Sequence, residues 1–282
     1  MTTPISNLMS GKRGLIMGVA NDHSIAWGIA KMLAAHGAEL AFTYQGEAFG
    51  RRVKPLADSV GAKLLLPCDV EDVASVDSVF AALKAEWGSI DFIVHAIGFS
   101  DKNELKGRYA DTTRDNFVKT MVISCFSFTE IAKRAAALMT DGGSILTLTY
   151  GGSTRVMPNY NVMGVAKAAL ESSVRYLAMD FGGDNIRVNA ISAGPVRTLA
   201  GSGVADARIM YNYQKKNSPL RRTVSLEEIG GSALYLLSDL GAGVTGDVHF
   251  VDSGYNIVSM PRLEELKVHE ANAEANNPQA VE

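Results

Sequence analysis

The sequence predicts a doubly wound α/β domain, with one mostly parallel sheet of about seven strands and helices on both faces. Three observations carry this. Short, near-continuous apolar runs recur along the chain, as strands buried on both faces require. Helix-length amphipathic segments separate them, so successive strands are joined by right-handed crossovers and run parallel. No internal repeat or low-complexity linker interrupts the alternation, which assigns residues 1–282 to a single domain.

The elements follow in order. "RGLIMGV" (13–19) is the first strand, and a helix runs from Ser24, a natural cap, to the closing Gly37. "AELAFTY" (38–44) is the second strand, followed by a helix near 46–60. "AKLLLPCDV" (62–70) is a strand, 72–87 a helix and "IDFIVHAIG" (90–98) a strand. One long helix covers 114–139, and "GSILTLTY" (143–150) is the next strand. A helix near 158–182, the strand "IRVNAISAG" (186–194), a helix near 225–239 and the strand "GDVHFVDSG" (246–254) complete the pattern. Two stretches stand apart. Residues 197–217 carry few periodic signals and read as a mobile lid, and the polar residues 264–282 read as a peripheral tail.

Composition narrows the function. The chain is 47% apolar with a net charge of -3 and no basic block, which argues against a nucleic-acid surface. Its two cysteines, Cys68 and Cys125, show neither metal-type spacing nor a disulfide framework. The N-terminus lacks the layout of a signal peptide, and no segment approaches the roughly 18 apolar residues of a membrane helix. The expectation is a soluble cytoplasmic protein that holds no metal.

"GVANDHSIAWG" (18–28), between the first strand and the first helix, suits a dinucleotide pyrophosphate. Gly18 serves the turn, Ser24 caps the helix and offers hydrogen bonds to phosphate, and Ile25 presents the next amide. Gly28 lets the helix pack closely on the strand. The usual GxGxxG is absent, and a simple turn and cap built by Asn21, Asp22 and Ser24 is the plain alternative. The position after the first strand favours the cofactor. At the second strand end, "TYQGE" (43–47) offers the neutral Gln45 where an acid often meets the ribose, with Glu47 close by. No basic group stands there to hold a 2′-phosphate, and Arg51 and Arg52 read as a solvated face. NADH is therefore expected over NADPH. "CDV" (68–70) and "HAIG" (95–98) end the next two strands and should border the cofactor, through Asp69, Val70 and Ile97. Asp69 either accepts from the adenine amine or caps the next helix. His95, inside an apolar strand, reads as a core histidine.

"PNYNVMGVAK" (158–167) holds Tyr160 and Lys167 seven positions apart at a helix start. At about 100° per residue that step returns to nearly the same face, roughly 10 Å along the axis. It suits a lysine on the cofactor's ribose and a tyrosine reaching further out to a substrate oxygen. The plain reading is a packed tyrosine and a surface cation; the nucleotide site in the same sheet favours the functional one. Tyr150 ends the preceding strand.

From about residue 11 to 260, the chain resembles the short-chain dehydrogenase/reductase superfamily. More narrowly, it is similar to the bacterial NADH-dependent enoyl-[acyl-carrier-protein] reductases of type II fatty acid synthesis. The residues that carry the resemblance are "GVANDHSIAWG", "TYQGE", "CDV", "TYGG" (149–152), "PNYNVMGVAK" and "AGPVRTLA" (193–200). The superfamily's Tyr-x-x-x-Lys would put tyrosine at 163; Met163 stands there and the tyrosine moves back to 160, the mark of the reductase subgroup. Where the superfamily has a catalytic serine, the corresponding stretch supplies Tyr150.

The resemblance implies a Rossmann-type fold and reduction of trans-2-enoyl thioesters by NADH, the last step of the elongation cycle. The displaced tyrosine fits that chemistry. Hydride delivered to C3 of an enoyl thioester develops charge on an oxygen two bonds further from the attacked carbon than in carbonyl reduction, and moving the phenol about one turn relocates the donor to it. Tyr160 is expected to hydrogen-bond the thioester oxygen and Lys167 to bind the nicotinamide ribose. Tyr150 lines the pocket or orients substrate, and Val196 and Thr198 hold the nicotinamide. Ser100 and Ile209 join Tyr150 and Tyr160 on the substrate, with Met210 and Tyr213 as further lining candidates on the lid. Acyl carrier protein is the implied partner, met by Arg197, Lys215 and Lys216 unless these are only a solvated face. A homotetramer is implied, with 114–139 and 158–182 as candidate interfaces. Two other readings stand beside this one: a carbonyl (3-ketoacyl-type) reductase on the same scaffold, and a non-catalytic NAD(H)-binding protein.

Overall fold

The computed structural model describes residues 6–199, 206–264 and 266–267. Seven strands form one sheet: β1 (Arg13–Met17), β2 (Glu39–Tyr44), β3 (Leu64–Pro67), β4 (Phe92–His95), β5 (Gly143–Thr149), β6 (Ile186–Ala193) and β7 (Val248–Val251). All neighbours pair in parallel in the order β3-β2-β1-β4-β5-β6-β7. The order reverses between β1 and β4, so a crevice opens beyond their carboxyl ends, where open α/β sheets bind ligands.

Strand alternation divides the core between two layers. Leu15, Met17, Ile93, Ile145 and Val188 point into one, which is covered by α3 (Val73–Trp87), α5 (Ser127–Ala136) and α6 (Asn161–Phe181). Ile16, Phe42, Phe92, Val94 and Ile191 point into the other, covered by α1 (Ile25–Ala35) and α8 (Leu226–Leu237). The remaining helices are α2 (Gly46–Ser59), α4 (Arg114–Met121) and α7 (Ala207–Asn217). The doubly wound architecture and its strands match the sequence expectation closely.

Three local departures have physical causes. The long helix expected over 114–139 is interrupted by a π turn at Val122–Phe126. The stretch expected to lack periodicity contains α7, whose buried residues are the polar Gln214 and Asn217 while Ile209 is 67% exposed. Hydrophobic periodicity cannot reveal a helix that buries its polar positions. Gly28 serves α8 rather than the sheet, since a Cβ there would lie 2.8 Å from the Cβ of Leu226. The expected lid residues 200–205 and, of the expected tail, residues 265 and 268–282 lie outside the described residues. Among the described residues, no helix is long and apolar enough to cross a membrane.

Candidate active site

The first strand delivers Gly18 in a left-handed turn at φ +93, and a Cβ there would meet the carbonyl oxygen of Ala96 at 2.0 Å. Only glycine lets the β1 loop close on the end of β4. Ser24 stands at the N-cap of α1, but its hydroxyl does not cap the helix. It accepts from the amides of Ala20 (3.0 Å) and Asn21 (3.1 Å) instead. The tight loop needs an acceptor for its own amides, so Ser24 winds the loop while Ile25 and Ala26 supply the outward amides of the first helical turn. This cradle fits a pyrophosphate. Gly18→Ala is expected to raise the KM for NADH at least ~10-fold and to lower the melting temperature, because both the φ and the contact with Ala96 must change. NADH titration and thermal unfolding check this.

At the next strand ends, Gln45 donates to the Asp69 carboxylate at 3.2 Å, and the other Asp69 oxygen accepts from the Glu71 amide at 3.0 Å. The cap of α3 belongs to Asp72, which accepts from Ala74. Of the two readings of Asp69, helix capping is therefore excluded. Val70 and Ile97 pack with one core layer and Val196 with the other, while the Thr198 amide donates to the Val196 carbonyl at 2.8 Å. Arg51 and Arg52 are exposed on α2.

Tyr160 sits at the N-cap of α6 with φ -116, flanked by the left-handed Asn159 (φ 56) and Asn161 (φ 33). The helix thus begins at 161 rather than 158. Asparagine tolerates that conformation better than most residues. The Asn161 side chain donates towards the carbonyls of Glu104 (3.3 Å), Lys106 (3.4 Å) and Gly107 (3.3 Å), which fastens the turn to the loop after β4. The half-buried Tyr160 ring lies over Gly152, where a Cβ would come within 2.5 Å of it. Its phenol is pushed well above the ordinary tyrosine range by burial, with Tyr150 and Glu171 adding to the effect. Tyr150 meets it edge-on, with ring centroids 5.2 Å apart. Burial also raises the Tyr150 phenol, whose oxygen accepts a 2.8 Å hydrogen bond from Gln214 of α7.

Lys167 is 8% exposed, and its Nζ donates to the Leu148 carbonyl at 2.8 Å. Burial lowers its pKa to about 8, against the pull of Cys125 and Glu171. A Cβ at Gly98 would lie 3.8 Å from this Nζ, so the segment after β4 runs beside the ammonium. Met163 is buried with Leu105, Val162 and Ala166, on the apolar side of the helix.

His95 is fully buried, and burial followed by the nearby Lys167 lowers its pKa to about 3. Its ring pairs with Thr147 (3.2 Å) and Ser127 (2.9 Å), the neutral core histidine expected. The π turn turns Ser124 onto Phe99, whose amide donates to the Ser124 hydroxyl at 2.9 Å and whose carbonyl accepts from it at 3.0 Å. Such turns recur at functional sites, and this one was missed in the sequence, where its only trace is a serine inside "VISCF". The Ser100 hydroxyl accepts from Thr120 (2.9 Å) and Asn116 (3.2 Å), which anchors the same segment to α4. Tyr150 also lines a cavity of ≈ 230 Å³, together with Gln214, Ser192, Asp252 and Tyr255 among others. Among the described residues, no cluster of three or more His, Cys, Asp or Glu side chains could hold a metal ion.

The arrangement has close relatives. Residues 18–256 match the family model described as Enoyl-(Acyl carrier protein) reductase. The chain is 75% identical over 267 residues to Enoyl-[acyl-carrier-protein] reductase [NADH] 2 of Rhizobium meliloti, covering 95% of this chain and all of that one. It is 53% identical to the FabI reductase of Rickettsia typhi over 93% of this chain and 100% of that one. Among solved structures, FabI from Candidatus Liberibacter asiaticus superposes with a TM-score of 0.90 at 64% identity, covering 91% of this chain and 100% of that one. The reductase of Anaplasma phagocytophilum in complex with NAD gives 0.89 at 61% identity, over 92% and 98% of the two chains. With the phenol carried at 160 and a buried methionine at 163, these likenesses are the ones the site geometry calls for, and the chain belongs to the enoyl-(acyl carrier protein) reductase family.

Proposed function

We propose that this protein reduces trans-2-enoyl thioesters of acyl carrier protein to saturated acyl thioesters with NADH. The observation that carries the reading is the burial of Met163 in an apolar cluster, which leaves Tyr160, seven positions before Lys167, as the phenol of this helix start. NADH, when bound, supplies hydride for C3 of the substrate. The Gly18 turn, the Ile25 amide, and Gln45 with Asp69 hold its adenosine and pyrophosphate end, with Val70 and Ile97 beside them. Ser24 keeps that loop in shape. Val196 and Thr198 orient the nicotinamide carboxamide.

Lys167 binds the nicotinamide ribose and adds positive potential. Tyr160 donates a hydrogen bond to the thioester oxygen; its raised pKa keeps the phenol protonated at neutral pH, as a donor to a developing enolate must be. Tyr150, held by Gln214, forms the wall against which Tyr160 and the substrate are oriented. Ile209 and Tyr213 on α7 cover the acyl chain, and Ser100 joins them on the substrate. Acyl carrier protein is the partner that presents the substrate, and Arg197, Lys215 and Lys216 are read as a solvated face. The protein works in the cytoplasm as a homotetramer, with the exposed Val118 and Phe126 by α4 and Tyr176 and Met179 on α6 in its interfaces.

The test is NADH oxidation, followed by absorbance, with crotonyl and longer trans-2-enoyl thioesters against acetoacetyl thioesters. Turnover is expected on the enoyl substrates and not on the ketoacyl ones. The reverse would make the protein a carbonyl reductase, and NADH binding without turnover on either would leave a binding role.

A further inference from the structure

Glu171 is a buried carboxylate that the mechanism above leaves unused. It lies one helical turn beyond Lys167 on α6, so the two side chains share a face. Only 7% of it is exposed, a placement that is costly for an ionised group unless something compensates it. Its Oε1 accepts a 2.6 Å hydrogen bond from the Thr149 hydroxyl, in the short range of charge-assisted bonds. Lys167, from the preceding turn, takes the carbonyl of Leu148 at 2.8 Å. One face of α6 thus grips two consecutive residues at the end of β5, and the next residue is Tyr150, which leaves the strand in extended conformation at φ -149.

We propose that Glu171 is a positioning residue: through Thr149 it fixes the direction in which β5 delivers Tyr150, and from one helical turn along the same face of α6 its carboxylate supports the buried Lys167 ammonium. The inference rests on the reading of Lys167 and Tyr150 as site residues. The groups that face Lys167 are Glu171 on its own helix, Cys125 on the π turn, His95 on β4 and the Leu148 carbonyl on β5. Cys125 first and Glu171 second pull the Lys167 pKa upward against burial. His95 is neutral at working pH and burial raises the Cys125 thiol, so Glu171 is the carboxylate whose replacement reads the electrostatic half.

Two variants separate the tether from the charge. Glu171→Gln keeps an acceptor for Thr149 and removes the charge; Thr149→Val keeps the charge and removes the tether. The Lys167 titration is read in the unloaded protein by 13C-lysine NMR, alongside the pH dependence of NADH affinity and kcat on crotonyl thioester. With Glu171→Gln, the Lys167 midpoint and the alkaline limb of NADH affinity should both fall by about one pH unit. With Thr149→Val, kcat should fall by about tenfold, and Thr149→Ser should restore it. An unmoved Lys167 midpoint in Glu171→Gln would overturn the electrostatic half. Thermal destabilisation by Thr149→Val with kcat intact would overturn the positioning half. The NMR titration needs no turnover, so with a wild type inert towards enoyl thioesters, which would sink the assigned reaction, an unmoved Lys167 midpoint in Glu171→Gln still overturns the electrostatic half and a lowered one supports it.

Discussion

Tyr160→Phe is expected to lower kcat on enoyl thioesters by about 10²–10³-fold, the usual cost of removing one donor from a developing oxyanion. NADH affinity should stay within about twofold of the wild type, because the ring that packs over Gly152 and against Tyr150 is retained and Lys167 is untouched. The split matters more than the size. An interaction made only as charge develops lowers kcat and kcat/KM together, whereas a ground-state contact raises KM alone. The phenol is half-buried and strongly resistant to ionisation, so it enters the reaction as a protonated donor. Steady-state NADH oxidation, fluorescence titration with NADH and thermal unfolding together check the three expectations. A variant with kcat intact would remove Tyr160 from the reaction, and the edge-on partner Tyr150 would become the next phenol to test.

The parts of this site legible in the sequence are those dictated by burial and by short-range spacing. Apolar runs could not be hidden in strands of a covered sheet, so all seven could be located, and a ligand site beyond their carboxyl ends followed from their alternation with helices. The reversal of order between β1 and β4 did not. Tyr160 and Lys167 declared themselves by interval, and His95 by its apolar surroundings. What stayed hidden depends on partners far along the chain or on backbone register. A π turn changes one hydrogen-bonding step and leaves composition untouched, so Ser124's hold on Phe99 had no sequence signature. Ser24 has the composition of a cap, yet its hydroxyl serves loop amides that compete for the same oxygen. Gly28 does fit a close approach, but the approaching element is α8, brought there only by the completed sheet. Glu171 looks like a solvated residue on an amphipathic helix; its burial follows from how α6 is seated on β5.

Lys167→Met should weaken NADH binding by about 10–100-fold at pH 7, the worth of one charged hydrogen bond, and abolish the alkaline limb that the wild type shows. The lysine's pKa of about 8 means that it is mostly charged at pH 7 and neutral by pH 9. NADH affinity of the wild type should therefore decline above pH 8, while the methionine variant stays flat. The same lowered pKa carries the opposite sign for stability. Between about 8 and the ordinary 10.5, the unfolded chain holds a proton at this lysine that the folded protein has released. Stability then rises with pH, because the unfolded state binds more protons. Relative to Lys167→Met, the unloaded wild type should gain up to about 3 kcal/mol across that window. Denaturant unfolding of both proteins at pH 7 and pH 10, set beside NADH titrations at the same pH values, checks the pair of trends. Binding that falls while relative stability climbs is the signature of a cation buried for the ligand at the expense of the fold. Parallel changes in both would instead mark Lys167 as a structural residue whose bond to Leu148 is its whole role.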